Sequence, residues 1–522
     1  MLGGVAPTVQ KNQLAHRGPD GFRETWFKKC YMAFNRLAIN DVSSDGMQPF
    51  TDETAMLVCN GEIYNHREIY TDNRELKNDC ACLIPLIKNH GVFDTANMIR
   101  GVFAFCYYTE TVFYAARDPF GVRPLFYTRD KKSGAVSALA SEVKALGATA
   151  SDEIHIFPPG HIYDSLIDKF VCYYPCYWSS SHKFTGTFGG GDSLVSKLTE
   201  AVRMRIANSD RDVCFLLSGG LDSSLMVSIA RKLLGPDTHI KTFSIGTSDS
   251  PDCRAAKRVS AYLNTDHTEV RFDVQQGIDS LRDVIRCLES YDTTTVRASI
   301  PMWLLCKYIA ENTNYRVVIS GEGSDEIFGG YLYFHYAPNT CAFVAENTRR
   351  LQLLHQFDVL RCDRCVSGHG LEARVPFLDR DFVDYAMGGG GDGLDQTLKT
   401  IDRVSRPIEK WVLRKAFEVG NYLPDDILWR QKDAFSDAVG YSWVSGLKKW
   451  TELIITESVF DTEVRMAQGH NVPLTKEEVM YRGIYREMFA FPKLISEIWR
   501  PRWTDQTDPS AKKLNIHSGS SK

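Results

Sequence analysis

Two stretches of this sequence share a pattern that leaves few folds open: a short apolar run, a glycine-rich polar turn, then a helix start. The first is DVCFLLSGGLDSSLMVSIARKLL, Asp212 to Leu234. Val213 to Leu217 suit a strand buried on both faces, Ser218-Gly219-Gly220 turn the chain, and Leu225, Met226, Ile229 and Leu233 recur at the spacing of one helix face. The second runs from Arg316-Val317-Val318-Ile319 into SGEGSDEIFGGY, Ser320 to Tyr331. Strand, loop and helix repeated in this way predict an α/β domain with a parallel sheet, whose ligands sit beyond the carboxyl ends of neighbouring strands.

The first turn suits an oxyanion. Its glycines let a ligand approach the backbone, and a helix N-terminus offers N–H donors and positive dipole. It lacks the lysine of a Walker loop. Asp222 would repel bare phosphate unless a divalent cation bridged them, so it predicts Mg²⁺, and Asp325 in the second loop can reach the same cation. An ordinary glycine-rich turn remains the alternative for the first loop taken alone.

SGGLDSS followed by SGEGSDE resembles the synthetase domain of glutamine-dependent asparagine synthetases, members of the ATP-pyrophosphatase group. The resemblance implies that Leu216, Ser218, Gly219, Gly220, Asp222, Ser223, Ser224, Ile245, Gly246, Ser320 and Gly321 hold ATP, and that Asp222 and Asp325 hold the metal. Glu372-Ala373-Arg374-Val375-Pro376-Phe377-Leu378-Asp379 and Trp429-Arg430-Gln431-Lys432-Asp433 match the family as well. From these, Lys432 is expected to neutralise charge as pyrophosphate leaves. Thr294, Thr295 and Arg297 form a cluster suited to the aspartate carboxylate, with a helix cap and a solvated arginine as the bland reading.

At 522 residues the chain exceeds one ordinary domain, so two are expected. Its net charge of −4 argues against a nucleic-acid surface spread over the whole protein. The 14 cysteines lack paired CxxC spacing, which favours a reduced, cytoplasmic chain over a zinc or disulfide framework. No signal peptide and no apolar run of the ~20 residues a membrane span needs is visible.

Upstream, HRGPD (His16 to Asp20), strand-like pieces around Tyr31 to Ile39 and Ala55 to Cys59, and polar turns predict an antiparallel α+β domain. Asn35-Arg36-Leu37-Ala38-Ile39, Asn60-Gly61-Glu62-Ile63-Tyr64-Asn65, Asn78-Asp79-Cys80, Arg117 to Leu125 and Ala140 to Leu146 resemble the glutaminase domain of class II amidotransferases, an N-terminal nucleophile (Ntn, αββα) fold. The resemblance implies that Arg36 holds the glutamine carboxylate, Asp79 and Glu62 its ammonium, and Leu37 and Ile39 line the site. Asn60 and Gly61 would form the oxyanion hole. Each residue taken singly has a structural alternative.

One departure matters. Family members begin Met-Cys-Gly-Ile and use that cysteine, with its free α-amine as base, as nucleophile. This sequence begins Met1-Leu2-Gly3-Gly4-Val5, and its first cysteine is Cys30, which reads as an internal strand residue. As written the chain is expected not to hydrolyse glutamine, either because the start lacks a few residues or because the first domain is a relic.

Residues 1–178 are thus expected to form the glutaminase-like domain, 179–193 a Ser/Gly-rich linker, 194–503 the ATP-pyrophosphatase domain, and 504–522 a polar, disordered tail. A helix is expected from Ser193 to about Arg211 and a strand from Lys241 to Ile245. GGGGDG, Gly388 to Gly393, departs from the family and reads as a flexible loop. The implied reaction joins aspartate, ATP and ammonia or glutamine nitrogen through β-aspartyl-AMP, with Glu322 as general base for the incoming ammonia. The family further implies an internal ammonia passage and a homodimer. Two competitors stay open: a β-lactam synthetase-like cyclase, and a regulatory or binding pseudoenzyme.

Overall fold

The computed structural model describes residues 11–70, 76, 78–146, 153–175, 191–389, 392–402, 405–433 and 435–505. The chain divides into two compact units. The first comprises Met1–Cys176 together with Ala207–Asp212 and Val366–Glu372; the second comprises Tyr177–Ile206, Val213–Cys365 and Ala373–Lys522.

The first unit is built from antiparallel sheets. Strands β1 (Gly21–Phe27) and β2 (Cys30–Arg36) form a hairpin. A six-stranded sheet runs in the order β11 (Lys169–Cys172), β10 (His161–Asp164), β6 (Phe113–Arg117), β5 (Gly101–Thr109), β4 (Ala55–Ile63), β3 (Phe50–Thr51). Strands β8 (Val136–Ala140), β7 (Phe126–Arg129) and β9 (Glu153–Ile156) make a third sheet. One core cluster draws on all three sheets, through Met32, Met56, Tyr108, Phe113, Val136 and Tyr163. A helix, Leu83–Met98, packs on β4. This is the α+β architecture expected from the alternating strands.

The strand expected from Tyr31 to Ile39 spans Cys30–Arg36, leaving Leu37 and Ile39 in the loop that follows. The motif Arg117 to Leu125 is architectural. Arg117, 1% exposed, donates to the carbonyls of Gly121, Arg123 and Phe157, and Asp118 accepts from the N–H groups of Phe120, Val122 and Arg123. Two other motifs meet at Glu142, which is fully buried and is ringed by His16 (3.1 Å), Arg17 (2.9 Å) and Lys144. Leaving that carboxylate unpaired in the core would be costly, which explains why these residue types occur together.

In the second unit a five-stranded sheet runs β14 (Asp266–Arg271), β13 (Lys241–Gly246), β12 (Val213–Leu216), β15 (Val317–Ile319), β16 (Glu372–Arg374). Strands β14, β13, β12 and β15 are parallel, with Cys214 opposite Val318 and Leu216 opposite Phe243. The chain moves from β12 outward to β13 and β14, then returns to place β15 on the other side of β12. The loops after β12 and β15 therefore diverge from adjacent strand ends, which opens a crevice there. The helix Leu221–Leu234 follows β12 and buries Leu225, Met226 and Ile229.

The helix expected from Ser193 to Arg211 spans Gly191–Ala207. It stops there because Asn208 donates to the Tyr64 carbonyl, Asp210 accepts from the Asp41 N–H and Arg211 donates to the Ala38 carbonyl, all inside the first unit. The expected start at Met1, most of the linker, Gly390, Gly391 and the tail from residue 506 onward lie outside the described residues.

Candidate functional site

The turn after β12 and the turn after β15 bound a cavity of about 210 Å³. Glycine is required at two points. Gly219 has φ +74°, and a side chain there would collide with the backbone of Ala255 and Ala256. A Cβ at Gly321 would lie 3.0 Å from Asp222 and Ser223, so the second loop rests directly on the first. That contact brings the acidic residues of the two motifs together.

The Lys410 ammonium lies 2.7 Å from Asp222 Oδ2 and 2.6 Å from Asp325 Oδ1. Lys432 Nζ is 2.7 Å from Asp325 Oδ2, and Ser324 donates to Asp222 Oδ1 at 2.8 Å. Burial disfavours ionised Asp325, but Lys410 and then Lys432 more than offset it and hold the carboxyl well below the usual carboxylate range. Against its own burial, Lys432 is pushed up by Asp325. Fully buried Glu409 anchors this group, accepting from the Lys432 N–H at 2.8 Å and from Arg414 at 2.7 Å.

Two carboxylates that share one ammonium within 2.7 Å are close enough to share a cation. No cluster of three or more potential protein ligands occurs among the described residues. A two-carboxylate site fits Mg²⁺, which keeps waters and takes its remaining ligands from substrate phosphates.

A second charged group lines the cavity. Arg361 bridges Glu322 (2.7 Å) and Asp358 (2.9 Å), and the Tyr331 hydroxyl touches Glu326 and lies 3.0 Å from Asp358. Burial raises the Glu322 carboxyl above that of ordinary glutamate, and Arg361 works against the rise. Arg430 ties the glycine loop to its neighbour by donating to the Gly219 carbonyl (3.2 Å) and pairing with Asp252 (2.9 Å), whose carboxyl burial pushes up to about 6.

Of the residues expected to hold ATP, Leu216, Ser218, Gly220, Asp222, Ser223, Ile245, Ser320 and Gly321 line this cavity. Gly219, Ser224 and Gly246 are not among its lining residues. Ser224 is fully buried in the first helical turn, where its N–H donates to the Gly220 carbonyl. Glu322, Asp325 and Lys432 also line the cavity, as does Thr294.

The structure separates the members of the expected aspartate cluster, with only Thr294 lining the cavity. Thr295 donates its hydroxyl to Asp292, the N-cap of the Thr293–Asn312 helix, and Arg297 pairs through two nitrogens with Glu477. Both are 2% exposed and neither lines the cavity. A substrate could reach Arg297 only by displacing a buried partner, so the helical spacing of 294 and 297 does not translate into one binding surface.

The first unit has its own cavity, of about 240 Å³. Arg36, Leu37, Asn60, Gly61, Glu62 and Asp79 line it, whereas Ile39 is buried and does not. Arg36 donates to the carbonyls of Asp41 and Ser43, Asn40 donates to Glu62, and Asp79 accepts from the Ile63 N–H at 2.6 Å. Asn60 donates to Ser141 at 3.4 Å. Cys30 lines this cavity too, but burial pushes its thiol up, away from the thiolate that nucleophilic attack requires.

The sequence pattern of the family described as Asparagine synthase matches residues 193–348 and 342–507, and that of a glutamine amidotransferase domain matches residues 7–160. An asparagine synthetase [glutamine-hydrolyzing] of Asparagus officinalis is 40% identical over 97% of this chain and 89% of its own length. The chain belongs to the asparagine synthetase family. Asparagine synthetase [glutamine-hydrolyzing] 1 of Saccharomyces cerevisiae is 38% identical over 97% of this chain and 95% of its own, and a relative in Arabidopsis thaliana is 40% identical over 97% and 91%.

Within this asparagine synthetase family chain, sequence reasoning missed Lys410, Glu409, Asp358 and Arg361. The run Ile408-Glu409-Lys410-Trp411-Val412-Leu413-Arg414 held a signal, since buried apolar residues interleave with three charges that must find partners. Asp358 and Arg361 carry no comparable signal, because an i, i+3 acid and arginine on a helix usually mark a solvated face.

Proposed function

We infer that this chain is an ATP-dependent carbon–nitrogen ligase that makes asparagine. The β-carboxylate of aspartate attacks the α-phosphate of ATP, pyrophosphate leaves, and ammonia displaces AMP from β-aspartyl-AMP, releasing one proton. The observation that carries this reading is that Asp222, Asp325, Lys410, Lys432 and Glu322, from four separate segments, line one cavity beside the glycine loop.

The Ser218–Ser223 loop and its helix start would bind the pyrophosphate end of ATP through backbone N–H groups, and Leu216 and Ile245 would bound the nucleoside. Asp222 and Asp325 would hold Mg²⁺, which when bound neutralises phosphate charge. Lys410 and Lys432 would then turn from the carboxylates toward the developing charge on pyrophosphate. Glu322 would take the proton from the attacking ammonia, a task suited to a carboxyl whose proton affinity burial has raised. In the first unit Arg36, Leu37, Asn60, Gly61, Glu62 and Asp79 would receive glutamine, with Arg36 on its carboxylate, Asp79 and Glu62 near its ammonium, and Asn60 and the Gly61 N–H toward the oxyanion.

The described cysteines are free, which supports a reducing compartment, the cytoplasm, and no described helix is long and apolar enough to cross a membrane. A homodimer completes the reading, supported by the family resemblance.

The test compares AMP and asparagine formation from aspartate, ATP and Mg²⁺ with ammonium or with glutamine as nitrogen source. Asparagine from ammonium is the expected result for the second unit. Asparagine from glutamine would extend the reading to the first cavity. Absence of AMP with both nitrogen sources would overturn the ligase assignment.

A further inference from the structure

Two ammonium groups act together on one leaving group only if the chain holds both near it, and long, flexible lysine side chains do not achieve that by themselves. Lys410 and Lys432 come from segments with little regular structure. Lys410 stands just before the six-residue helix Trp411–Ala416 with φ +56° and ψ +27°, a left-handed conformation that a lysine keeps only where its surroundings fix it. Lys432 follows the four-residue helix Asp425–Leu428, in a stretch, residues 429–433, that belongs to no helix or strand. Neither side chain is aimed by its own element.

One buried ion pair reaches both segments. Glu409, 0% exposed, and Arg414, 1% exposed, meet at 2.7 Å. Arg414 Nε donates to the Glu409 carbonyl at 2.9 Å, which closes the turn that carries Lys410, and its Nη1 donates to the Leu428 carbonyl at 2.5 Å. Glu409 Oε1 accepts the Lys432 N–H at 2.8 Å. The pair thus grips the second segment at both ends, Leu428 and Lys432, while residue 409 leads directly into Lys410. Burial alone would raise the Glu409 carboxyl, but His335, 3.8 Å from Oε2, and Arg414 more than offset it and keep it below the ordinary glutamate range. Glu409 does not line the cavity, so it bears on a substrate only through what it holds.

We propose that the Glu409–Arg414 pair is a positioning device that presents Lys410 and Lys432 to the leaving pyrophosphate as one unit. The two ammoniums already converge on one carboxylate, Lys410 at 2.6 Å from Asp325 Oδ1 and Lys432 at 2.7 Å from Asp325 Oδ2. Like charges that close repel each other, so the backbone must hold them there, and the clamp on residues 409, 428 and 432 does so. The role rests on the ligase reading above and extends it to a carboxylate outside the cavity, Glu409, that acts as a positioning residue through the two lysines.

The experiment measures kcat and KM for ATP-dependent pyrophosphate release with aspartate in wild type, Glu409→Gln, Lys432→Met and the double variant. Glu409→Gln keeps an oxygen for the Lys432 N–H but loses the charge that holds Arg414. Its kcat should fall about tenfold or more, with the aspartate KM within about twofold of wild type, because misplaced lysines cost stabilisation of the transition state and not aspartate binding. The double variant should lose less than the product of the two single losses, by about threefold or more, since the clamp has less to position once Lys432 is gone. A second readout needs no turnover: acetylation of Lys432 by an amine-reactive ester, followed by mass spectrometry without nucleotide, should run about threefold faster in Glu409→Gln. The ATP-induced thermal shift confirms folding, and Glu409→Asp replaces a Glu409→Gln protein that lacks it, because the shorter acid keeps the charge but cannot hold Arg414 and the Lys432 N–H at once. Unchanged kcat, fully multiplicative losses or unchanged acetylation would each overturn the device. Wild-type protein that releases no pyrophosphate with aspartate would instead overturn the ligase reading, and the acetylation rates would still decide the clamp, so the two failures are distinct.

Discussion

Lys410 occupies the place between two carboxylates, and that geometry has measurable consequences at the residue scale. It is 2% exposed and contacts both Asp222 and Asp325. Replacing it with methionine leaves two half-buried acids facing each other with only Lys432 beside Asp325, a change expected to cost less than the about 3–5 kcal/mol of breaking a fully buried pair. Thermal unfolding of Lys410→Met in chelator should show that loss, and Mg²⁺ with ATP should restore more stability to the variant than to wild type, because the cation supplies the missing positive charge. Gly321→Ala acts through space instead of charge. Its Cβ would sit 3.0 Å from Asp222 and Ser223, so the first loop must give way by a few tenths of an ångström. Misplacement on that scale is expected to lower pyrophosphate release by less than the about 10²-fold that a full ångström costs, with little change in unfolding temperature. None of these residues is ambiguous in the sequence, yet only Asp222, Asp325 and Gly321 stood in recognisable motifs.

At the scale of elements, the Arg297–Glu477 pair joins the Thr293–Asn312 helix to the Lys476–Met488 helix. Arg297→Met should therefore destabilise the protein by about 3–5 kcal/mol while leaving the aspartate KM of the folded fraction unchanged; a raised KM without loss of stability would restore the original reading of that cluster. The edge of the parallel sheet carries a pH response. His267 on β14 is bonded to the hydroxyls of Thr242 (2.9 Å) and Ser244 (3.0 Å), and burial pushes its imidazole down to about 4. The unfolded chain, with an ordinary imidazole near pH 6.5, takes up the proton first as pH falls. The stability contributed by neutral His267 is thus present above about pH 6.5 and is lost as pH drops through about 4. Urea midpoints at pH 7 and pH 5 should differ less in His267→Gln than in wild type. Strand and helix positions themselves were legible, because apolar periodicity and turn glycines set them locally. Their ends were not, since Asn208 and Asp210 end a helix by bonding to residues far away in the chain.

For the whole molecule, the first unit is assembled from three chain segments, two of which follow the Ser/Gly-rich stretch. Hydrogen bonds from Asn208 and Arg211 and to Asp210, and the 2.9 Å pair of Arg123 with Glu372, hold those later segments inside the first unit. Proteolytic cleavage between Cys176 and Gly191 should accordingly give two fragments that elute together on gel filtration in native buffer and separate only in denaturant. Binding of ATP at 100 times Kd should stabilise the second unit by about 2.7 kcal/mol, read as a shift in its unfolding transition. The sequence by itself determined the two-unit plan, the glycine loops, the paired acids and the family, because each depends on residue types at short, fixed spacing. Tertiary structure alone decided which charges meet. Lys410 lies 188 residues from Asp222, and Arg361 lies 39 from Glu322, so neither partnership is written in any local period. The same long-range packing withdrew Arg297 from the cavity, since a buried guanidinium goes to the carboxylate that the fold brings within reach, whatever its neighbours in the chain suggest.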